Sequence, residues 1–598
     1  MKTDRTSAIY SKYEYAFVLG LVLIWQIILI ASSNGLFIET DSYTHALRLM
    51  DLIQSGSWQE TLYMHDNCPY GQILHFTRIT DVFLYLTTLP FLPFMDLKQA
   101  IVFGGFLYQP VMACLSAAAL IRAGRAFCSP VVRLTGLLAY FFIFPETGYL
   151  FLAGRPDHHV LLNLFLILLS GSLTYGAKTQ KTAYFKMAGV WGGLAVWTSP
   201  EGFLACLFLF AGMVLAWLAK YQNIRQIRLF SQFLFITTTL CWLVNPPIQG
   251  VLYPDNSRLS VLTVAVFGFA FTSFYIEDIL KRKYIRSFFS RLSSLFLLTF
   301  FSFGFALFLF GAEAFLSSPI SSELFDVWAR YIAELQPAPY QKLIPFLSVF
   351  LIAFTTFFFA VISLKKLLLT NGIPFVLFTL SALISRRFCC PASVYAFFIA
   401  VFAVQILFNK LSFFRIVAPI WLIFIICLSI PSVLFLYHGQ LFDQKMATFP
   451  QEAVPYLSEK SGCVLTHDDL GPETAWGTGK AVIGSPYHTN AQGLTDNYIL
   501  FNSTDMARVQ KLLKKRSVTT IIFPNPEEEL KKIKNEIEKD TNKKNIFYKA
   551  PMFPLFEKML IKYNDFCFLT QPLNMPEEIR RKYFIYHVDF DACEKNEE

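Results

Sequence analysis

Apolar runs about one bilayer long dominate the chain and stop near residue 440. A bilayer core takes about 20 apolar residues per helix. On that measure candidate spans lie at roughly 15–32, 100–121, 131–144, 159–176, 184–199, 202–219, 230–245, 260–278, 293–316, 342–363, 371–385, 391–408 and 414–436, about thirteen in all. The stretch 81–95 is also apolar, but it is short and carries Pro90 and Pro93. It reads as an interfacial or re-entrant helix inside an outer loop.

Beyond residue 440 the pattern changes. Short β-prone segments at 463–466, 480–484, 519–523 and 567–570 are separated by turn residues. Ser503 or Thr504 is placed to cap a helix over 505–515, and 527–544 reads as a charged amphipathic helix with a solvated face. The expected architecture is a polytopic α-helical membrane domain over 1–439 followed by a soluble α/β domain over 440–598.

Composition agrees. Of 598 residues, 55% are hydrophobic and only 16% charged, with a mean hydropathy of +0.46. Ordinary soluble domains carry about 25% charged residues. The net charge of +9 comes from short basic clusters between apolar runs, which report topology and not a nucleic-acid surface. With a cytoplasmic N-terminus, Lys2, Arg5, Arg122, Arg125, Lys178, Lys181, Lys220, the 281–291 cluster, Lys365 and Lys410 all fall inside. Segments 33–100, 145–158, 245–258 and 317–340, and everything after 437, then lie outside. The first apolar run lacks a small-residue cleavage site and reads as a signal anchor. Eleven cysteines show no zinc spacing; those in apolar runs read as small buried residues, while Cys463, Cys567 and Cys593 are candidates for a disulfide.

The outer segments gather the acids. Glu39-Thr-Asp41-Ser-Tyr-Thr-His45-Ala-Leu-Arg48 opens the first, followed by Pro69-Tyr-Gly71 and Asp81; Gly154-Arg155-Pro-Asp157-His158-His159 ends the second; Ile332-Ala-Glu334-Leu-Gln336-Pro337 sits in the last. A carboxylate at a bilayer is costly unless it is paired or functional. Asp41, Asp157, His159 and Glu334 form a donor set suited to Mg²⁺ or Mn²⁺, with imidazole favouring Mn²⁺. On the helix that starts there, Asp157 and His159 turn to one partner and His158 points away. Each residue also has a plainer reading. Asp41 caps a helix, Asp157 and the histidines form an interfacial hydrogen-bond cluster, Glu334 is an exposed acid, and Glu201 is a turn residue. Arg386 and Arg387 snorkel to headgroups, and His467, Asp468 and Asp469 make a surface turn.

The order of these motifs, with the late Ser385-Arg-Arg-Phe388, resembles the catalytic subunit of oligosaccharyltransferase, the archaeal and bacterial single-subunit forms especially. The resemblance implies a GT-C fold with thirteen membrane helices, an extracytoplasmic C-terminal domain, and transfer of a glycan from a polyprenyl-phosphate carrier. It implies a Mn²⁺ or Mg²⁺ site at Asp41, Asp157, His159 and Glu334, and donor phosphates near Arg387 and Arg386. Asp41 and Glu334 are the candidates for orienting the acceptor or taking its proton. The family's WWDYG motif, which grips the residue two after the acceptor asparagine, has its counterpart in His467-Asp468-Asp469-Leu470-Gly471, where both tryptophans are gone. Asp469, His467 and His488 are the candidate acceptor-binding residues. The acceptor is then either a protein asparagine or a lipid or cell-surface glycan. A transporter or flippase of lipid-linked glycans is the competing class, and acids at one surface instead of the midplane speak against it.

Overall fold

The computed structural model describes residues 5–410 apart from residue 143 and short breaks between 281 and 361, residues 451–524 apart from 504, and residues 567–591 apart from 573. The candidate span at 414–436 and the charged helix at 527–544 lie outside the described residues.

The apolar runs are helices. In chain order they are α1 (Arg5–Ser32), α2 (Thr40–Ser55), α3 (Arg78–Thr88), α4 (Leu97–Gly124), α5 (Pro130–Phe142), α6 (Pro145–Leu150), α7 (His158–Thr179), α8 (Thr182–Thr198), α9 (Pro200–Leu218), α10 (Ile224–Val244) and α11 (Val261–Leu280). Helices Tyr340–Phe357, Ile362–Ala382 and Cys389–Lys410 follow. Among the described residues, seven helices are long and apolar enough to cross a membrane, and two more are apolar but shorter. The chain is a multi-pass membrane protein; the expected count of about thirteen is not reached by these residues. α7 and Cys389–Lys410 are buried nearly all round and form the centre of the bundle, whereas α1 and α11 keep apolar faces such as Ile27, Ile28 and Ile279 exposed. Helices that are hydrophobic on every side belong in a core or in lipid, and this bundle holds both kinds.

α3 covers the stretch read as interfacial. Eleven residues rise about 17 Å, far short of a bilayer core. Its inner face is polar and fixed: Asp81 is fully buried, 2.8 Å from Arg48 Nη2 on α2 and 3.0 Å from Arg78 Nη1. Burial opposes ionisation of Asp81, but the two guanidiniums and His45 outweigh it and hold the carboxyl well below its usual range.

The C-terminal region is mixed α/β. β1 (Cys463–Leu465) pairs parallel with β2 (Val518–Pro524), β2 pairs antiparallel with β4 (Tyr583–Val588), and β3 (Leu569–Thr570) closes the order β1-β2-β4-β3. The expected strand at 480–484 contributes one bridge, Val482 to Val464. The helix Met506–Lys515 is present, but its cap is Asp505, whose side chain accepts from the Arg508 N–H at 3.2 Å; Ser503 instead accepts from the Asp505 N–H.

This region is tied to the first outer loop. Cys68 and Cys463 are disulfide-bonded across 395 residues of sequence. Cys567 is disulfide-bonded as well. Next to the first bridge, buried Arg516 donates to Asn67 Oδ1 at 2.9 Å and to Cys68 O at 2.9 Å, while its other nitrogens hold Asp496. Cys68 N and Val482 O, and Val482 N and His65 O, complete a backbone ladder between the two segments.

Candidate active site

Three distant stretches meet at the N-terminal ends of α2 and α7. The link begins at Gly154, whose φ of +78° suits glycine, and where a Cβ would lie 2.9 Å from Leu36 O. That close approach lets the Ile38 N–H donate to Gly154 O at 3.0 Å, so the segment leading into α2 and the segment leading into α7 run side by side. From α4, Gln109 donates to Arg155 O, and Tyr108 Oη reaches Asp157 O at 3.4 Å. The backbone presenting Arg155 and Asp157 is thereby fixed from below.

Arg155, 2% exposed, is the hub of the acids. Its Nε is 2.7 Å from Glu39 Oε2, and its Nη2 is 3.2 Å from Asp157 Oδ2 and 3.9 Å from Glu334 Oε1. Its guanidinium also covers the ring of Tyr149 at 4.7 Å. Asp41, in the first turn of α2, accepts from Tyr487 Oη of the C-terminal region at 2.9 Å, and that hydroxyl is 2.7 Å from Thr44 Oγ1. His159 Nε2 is 3.7 Å from Glu334 Oε2. Asp157, His159 and Glu334 therefore come together, and Asp41 lies close enough for the charges of Asp157 and Glu334 to act on its carboxyl.

His158 does not point away. Its Nδ1 is 2.7 Å from Asp157 Oδ1, and its ring lies 4.1 Å from that of His159. With His45 and Asp157 it forms a buried group whose ligand atoms all lie within 4.8 Å of one another. The reason is local: Asp157 is the residue before α7, not on it, so its side chain swings back towards the first helical residue.

The electrostatics are uneven. Burial pushes the carboxyl of Glu39 well up, and Arg155 only partly opposes this. Burial, then the charge of Asp157, also raises Asp41. Asp157 is the opposite case: burial opposes its charge, but His158, His159 and Arg155 hold it well below the carboxylate range. Glu334 keeps 48% of its side-chain surface; desolvation opposes ionisation, yet the neighbouring imidazole of His159, with Arg155 behind it, brings the carboxyl down to about 2. Three carboxylates, Glu39, Asp157 and Glu334, thus crowd one arginine, and Asp41 feels the charges of Asp157 and Glu334; Glu39 and Asp41 are the two reluctant to ionise. That is the environment a divalent cation relieves, and the carboxylate and imidazole donors suit Mn²⁺ or Mg²⁺.

The remaining candidates lie around this cluster. Arg387 is ion-paired with Glu201, which is buried at the first turn of α9, so neither is a loose surface residue. The Arg386 N–H donates to Gln336 O at 2.7 Å, which docks the Arg386–Phe388 turn on the Glu334 segment. Asp469 reaches the site through its backbone, its carbonyl accepting from Thr40 Oγ1 at 3.0 Å. Its side chain is half exposed, and the neighbouring Asp468 pushes its carboxyl upward. His467 Nδ1 accepts from the Asp469 N–H and lies 3.1 Å from Asp468. The His488 ring lies 4.8 Å from that of His75, tilted against it by 41°. Sequence reasoning quoted Glu39, His45 and Arg155 inside motifs without giving them a site role, and it left Tyr487 unassigned. Only the fold shows that α2 and residue 487 are neighbours.

No protein-family model matches this chain, and no curated protein matches it in sequence. Solved structures do. Archaeal oligosaccharyltransferase AglB from Archaeoglobus fulgidus, in complex with an inhibitory peptide and a dolichol-phosphate, superposes with a TM-score of 0.65 over 87% of this chain and 70% of that one, at 14% identity. The fold is that of an oligosaccharyltransferase. The same archaeal protein tethered to an acceptor peptide containing the NVT sequon gives a TM-score of 0.62 at 13% identity, covering 86% of this chain and 69% of that one. Its complex with Zn and sulfate gives 0.59 at 14% identity, covering 85% and 68%. The oligosaccharyltransferase fold extends across both the bundle and the C-terminal region, since the match covers most of the described chain.

Proposed function

We propose that this chain is a metal-dependent GT-C glycosyltransferase that moves a sugar or oligosaccharide from a polyprenyl-(di)phosphate carrier to an acceptor outside the cytoplasm. The observation that supports this reading is the grouping of Glu39, Asp157 and Glu334 on Arg155, with His159 beside Glu334 and Asp41 within reach of the charges of Asp157 and Glu334, on an oligosaccharyltransferase fold. Archaeal AglB with that fold has been solved with dolichol-phosphate and with Zn, which supports a lipid-phosphate donor and a cation here.

Asp41, Asp157, His159 and Glu334 would hold Mn²⁺ or Mg²⁺, with His158 and His45 as further donors on the other side of Asp157. When bound, the metal supplies positive charge where the sugar–phosphate bond breaks and the departing oxygen becomes negative. Arg155 keeps Glu39, Asp157 and Glu334 in register. Tyr487 orients Asp41 by donating to it. Arg387 and Arg386 face the carrier phosphates, with Glu201 holding the Arg387 guanidinium in place. A carboxylate of Asp41 or Glu334 orients the acceptor and takes its proton.

Asp469, His467 and His488 are the acceptor-side residues in this reading. The acceptor is a protein asparagine or a lipid or cell-surface glycan, and the loss of both tryptophans at 467–468 favours the second. The disulfide between Cys68 and Cys463 supports an extracytoplasmic C-terminal region, because such bonds persist in oxidising compartments. The N-terminus is then cytoplasmic, and the membrane domain spans 1–439 with the soluble domain over 440–598. Mass analysis of cell-surface glycans and glycopeptides from a deletion strain tests the reading. Loss of one glycoconjugate class, restored by the wild-type gene and not by Asp157→Ala, is the expected result. An unchanged glycan profile would overturn the reading, and substrate counterflow by the purified chain in liposomes would point instead to a flippase.

A further inference from the structure

A second feature lies beside the acid cluster. A cavity of about 550 Å³ opens between the first outer loop, the 245–258 loop and the C-terminal region. Its volume falls within the range of about 300–1,000 Å³ that ligand sites occupy. Gln72, Gln249, Tyr253, Asp255, Thr489 and Gln492 line it, and it contains no lysine or arginine. Amides, a hydroxyl and one carboxylate offer both donors and acceptors, and Tyr253, 43% exposed, offers an aromatic face. Such a lining suits a neutral polyhydroxylated ligand and gives no counter-charge for a phosphate. Part of the wall is already pre-set. Thr489 Oγ1 lies 3.0 Å from Gln72 Oε1, and Asp255 Oδ1 accepts from Ser257 N at 2.8 Å and Oγ at 2.7 Å.

Packed side chains relate the cavity to the reaction centre. His75 stands in its wall, 4.8 Å from the His488 ring and 5.8 Å from the ring of Tyr487, the residue that donates to Asp41. Burial, then Arg387, lowers His488 to about 4, and Asp255 opposes them. His488 thus sits within electrostatic reach of both Arg387, on the donor-phosphate side, and Asp255, in the cavity.

We propose that this cavity holds the saccharide of the lipid-linked donor, which runs from phosphates at Arg387 past His75 to Tyr253 and Gln492, leaving His488 behind His75 on the acceptor side. This rests on the glycosyltransferase reading above and adds where the glycan lies. Outer sugars stack on Tyr253 and hydrogen-bond to Gln249 and Gln492, so the site selects donors by glycan length.

The test uses the full chain in lipid nanodiscs with polyprenyl-linked oligosaccharides extracted from the host, either intact or trimmed by exoglycosidases to the innermost sugar. Tyr253→Ala and Gln492→Ala change exposed side chains and leave Asp41, Asp157 and Glu334 in place. Each is expected to raise KM for the intact donor roughly five- to tenfold, the loss of one stacking or hydrogen-bonding contact, and to leave the trimmed donor unchanged. Equal effects on both donors, or none on either, overturn the proposal. A photoreactive benzoylphenylalanine in place of Tyr253 gives a readout that needs no turnover. Cross-linking to a glycan mass supports the assignment, and cross-linking only to peptide or not at all overturns it. A wild-type chain that transfers nothing from either donor would sink the catalytic reading separately, because the cross-link reports occupancy alone. A shift in acceptor KM instead of donor KM would overturn the donor assignment in favour of an acceptor glycan.

Discussion

At the scale of single residues, the site is a problem of charge. Glu334 is held at about 2 by His159, so it is ionised throughout the neutral range and loses that state only in strong acid. Glu334→Gln keeps its shape and removes its charge. It is expected to cut turnover by about a hundredfold or more while far-UV circular dichroism is unchanged. Normal transfer in this variant would remove Glu334 from the mechanism. Tyr487→Phe tests the support of Asp41. Taking away a donor that favours the charged carboxylate raises a pKa that burial has already lifted. The acid limb of the pH–rate profile should therefore move to higher pH, and Mn²⁺ affinity should fall roughly 10–100-fold, as for other residues that orient a ligand. The candidate acids were legible in the sequence because a carboxylate at a membrane face is conspicuous. Arg155 and Tyr487 were not, because an arginine within a motif and a tyrosine in a distant polar loop carry no periodic signal. Their roles follow from the close approach at Gly154 and from the docking of residue 487 on α2.

At the scale of elements, what matters is how the first outer loop is fastened to the C-terminal region. Asp66 is 1% exposed, accepts from Gln72, and lies beside Ser485. Burial raises its carboxyl to about 7 although both hydrogen bonds oppose this. A folded-state pKa above the unfolded value of 3.8 means the folded form prefers the proton. Stability from this group is greatest below about pH 4 and is lost as pH rises through 7. Asp66→Asn keeps one acceptor and has no charge to bury. It should flatten that pH dependence and raise Tm above pH 7 by roughly 2–4 °C, read by thermal unfolding in detergent. A variant with the same pH slope as wild type would contradict this. Several membrane helices were legible nearly to their ends, because apolar length is the dominant signal in lipid. α9, for instance, was expected at 202–219 and runs Pro200–Leu218. The span expected at 371–385, however, begins nine residues earlier, at Ile362, where Lys365 and Lys366 read as a loop. α2 entered only as a helix without bounds that Asp41 would cap, because it is amphipathic and only 16 residues long; its N-cap is Glu39, and Asp41 lies in its first turn. β4 was missed, since its aromatic run follows directly on the charged Glu577–Lys582 helix. The bond between Cys68 and Cys463 could not be paired from sequence, because Cys68 lies in a different segment from the cysteines of the tail.

At the scale of the whole molecule, the acid cluster draws on α2, the start of α7, the Glu334 segment and the C-terminal region together. Anything that binds there and not to the unfolded chain stabilises all of them at once. Linkage gives about 2.7 kcal/mol at a ligand concentration near 100 times Kd. Mn²⁺ should raise the unfolding temperature of the purified chain, and a chelator should lower it in a preparation that retains metal. Asp157→Ala removes the carboxylate shared by Arg155, His158 and the proposed cation, so it should abolish the Mn²⁺ shift without mimicking the chelator. Arg387→Lys lies outside the donor set and should leave the shift intact while weakening donor binding, because a lysine cannot reproduce the guanidinium pairing with Glu201. A Mn²⁺ shift of equal size in Asp157→Ala would place the cation elsewhere. A shift lost in Arg387→Lys as well would mean that the two sides of the cleft fold as one unit and cannot be assigned separate roles by stability alone. Donor KM would then have to separate them.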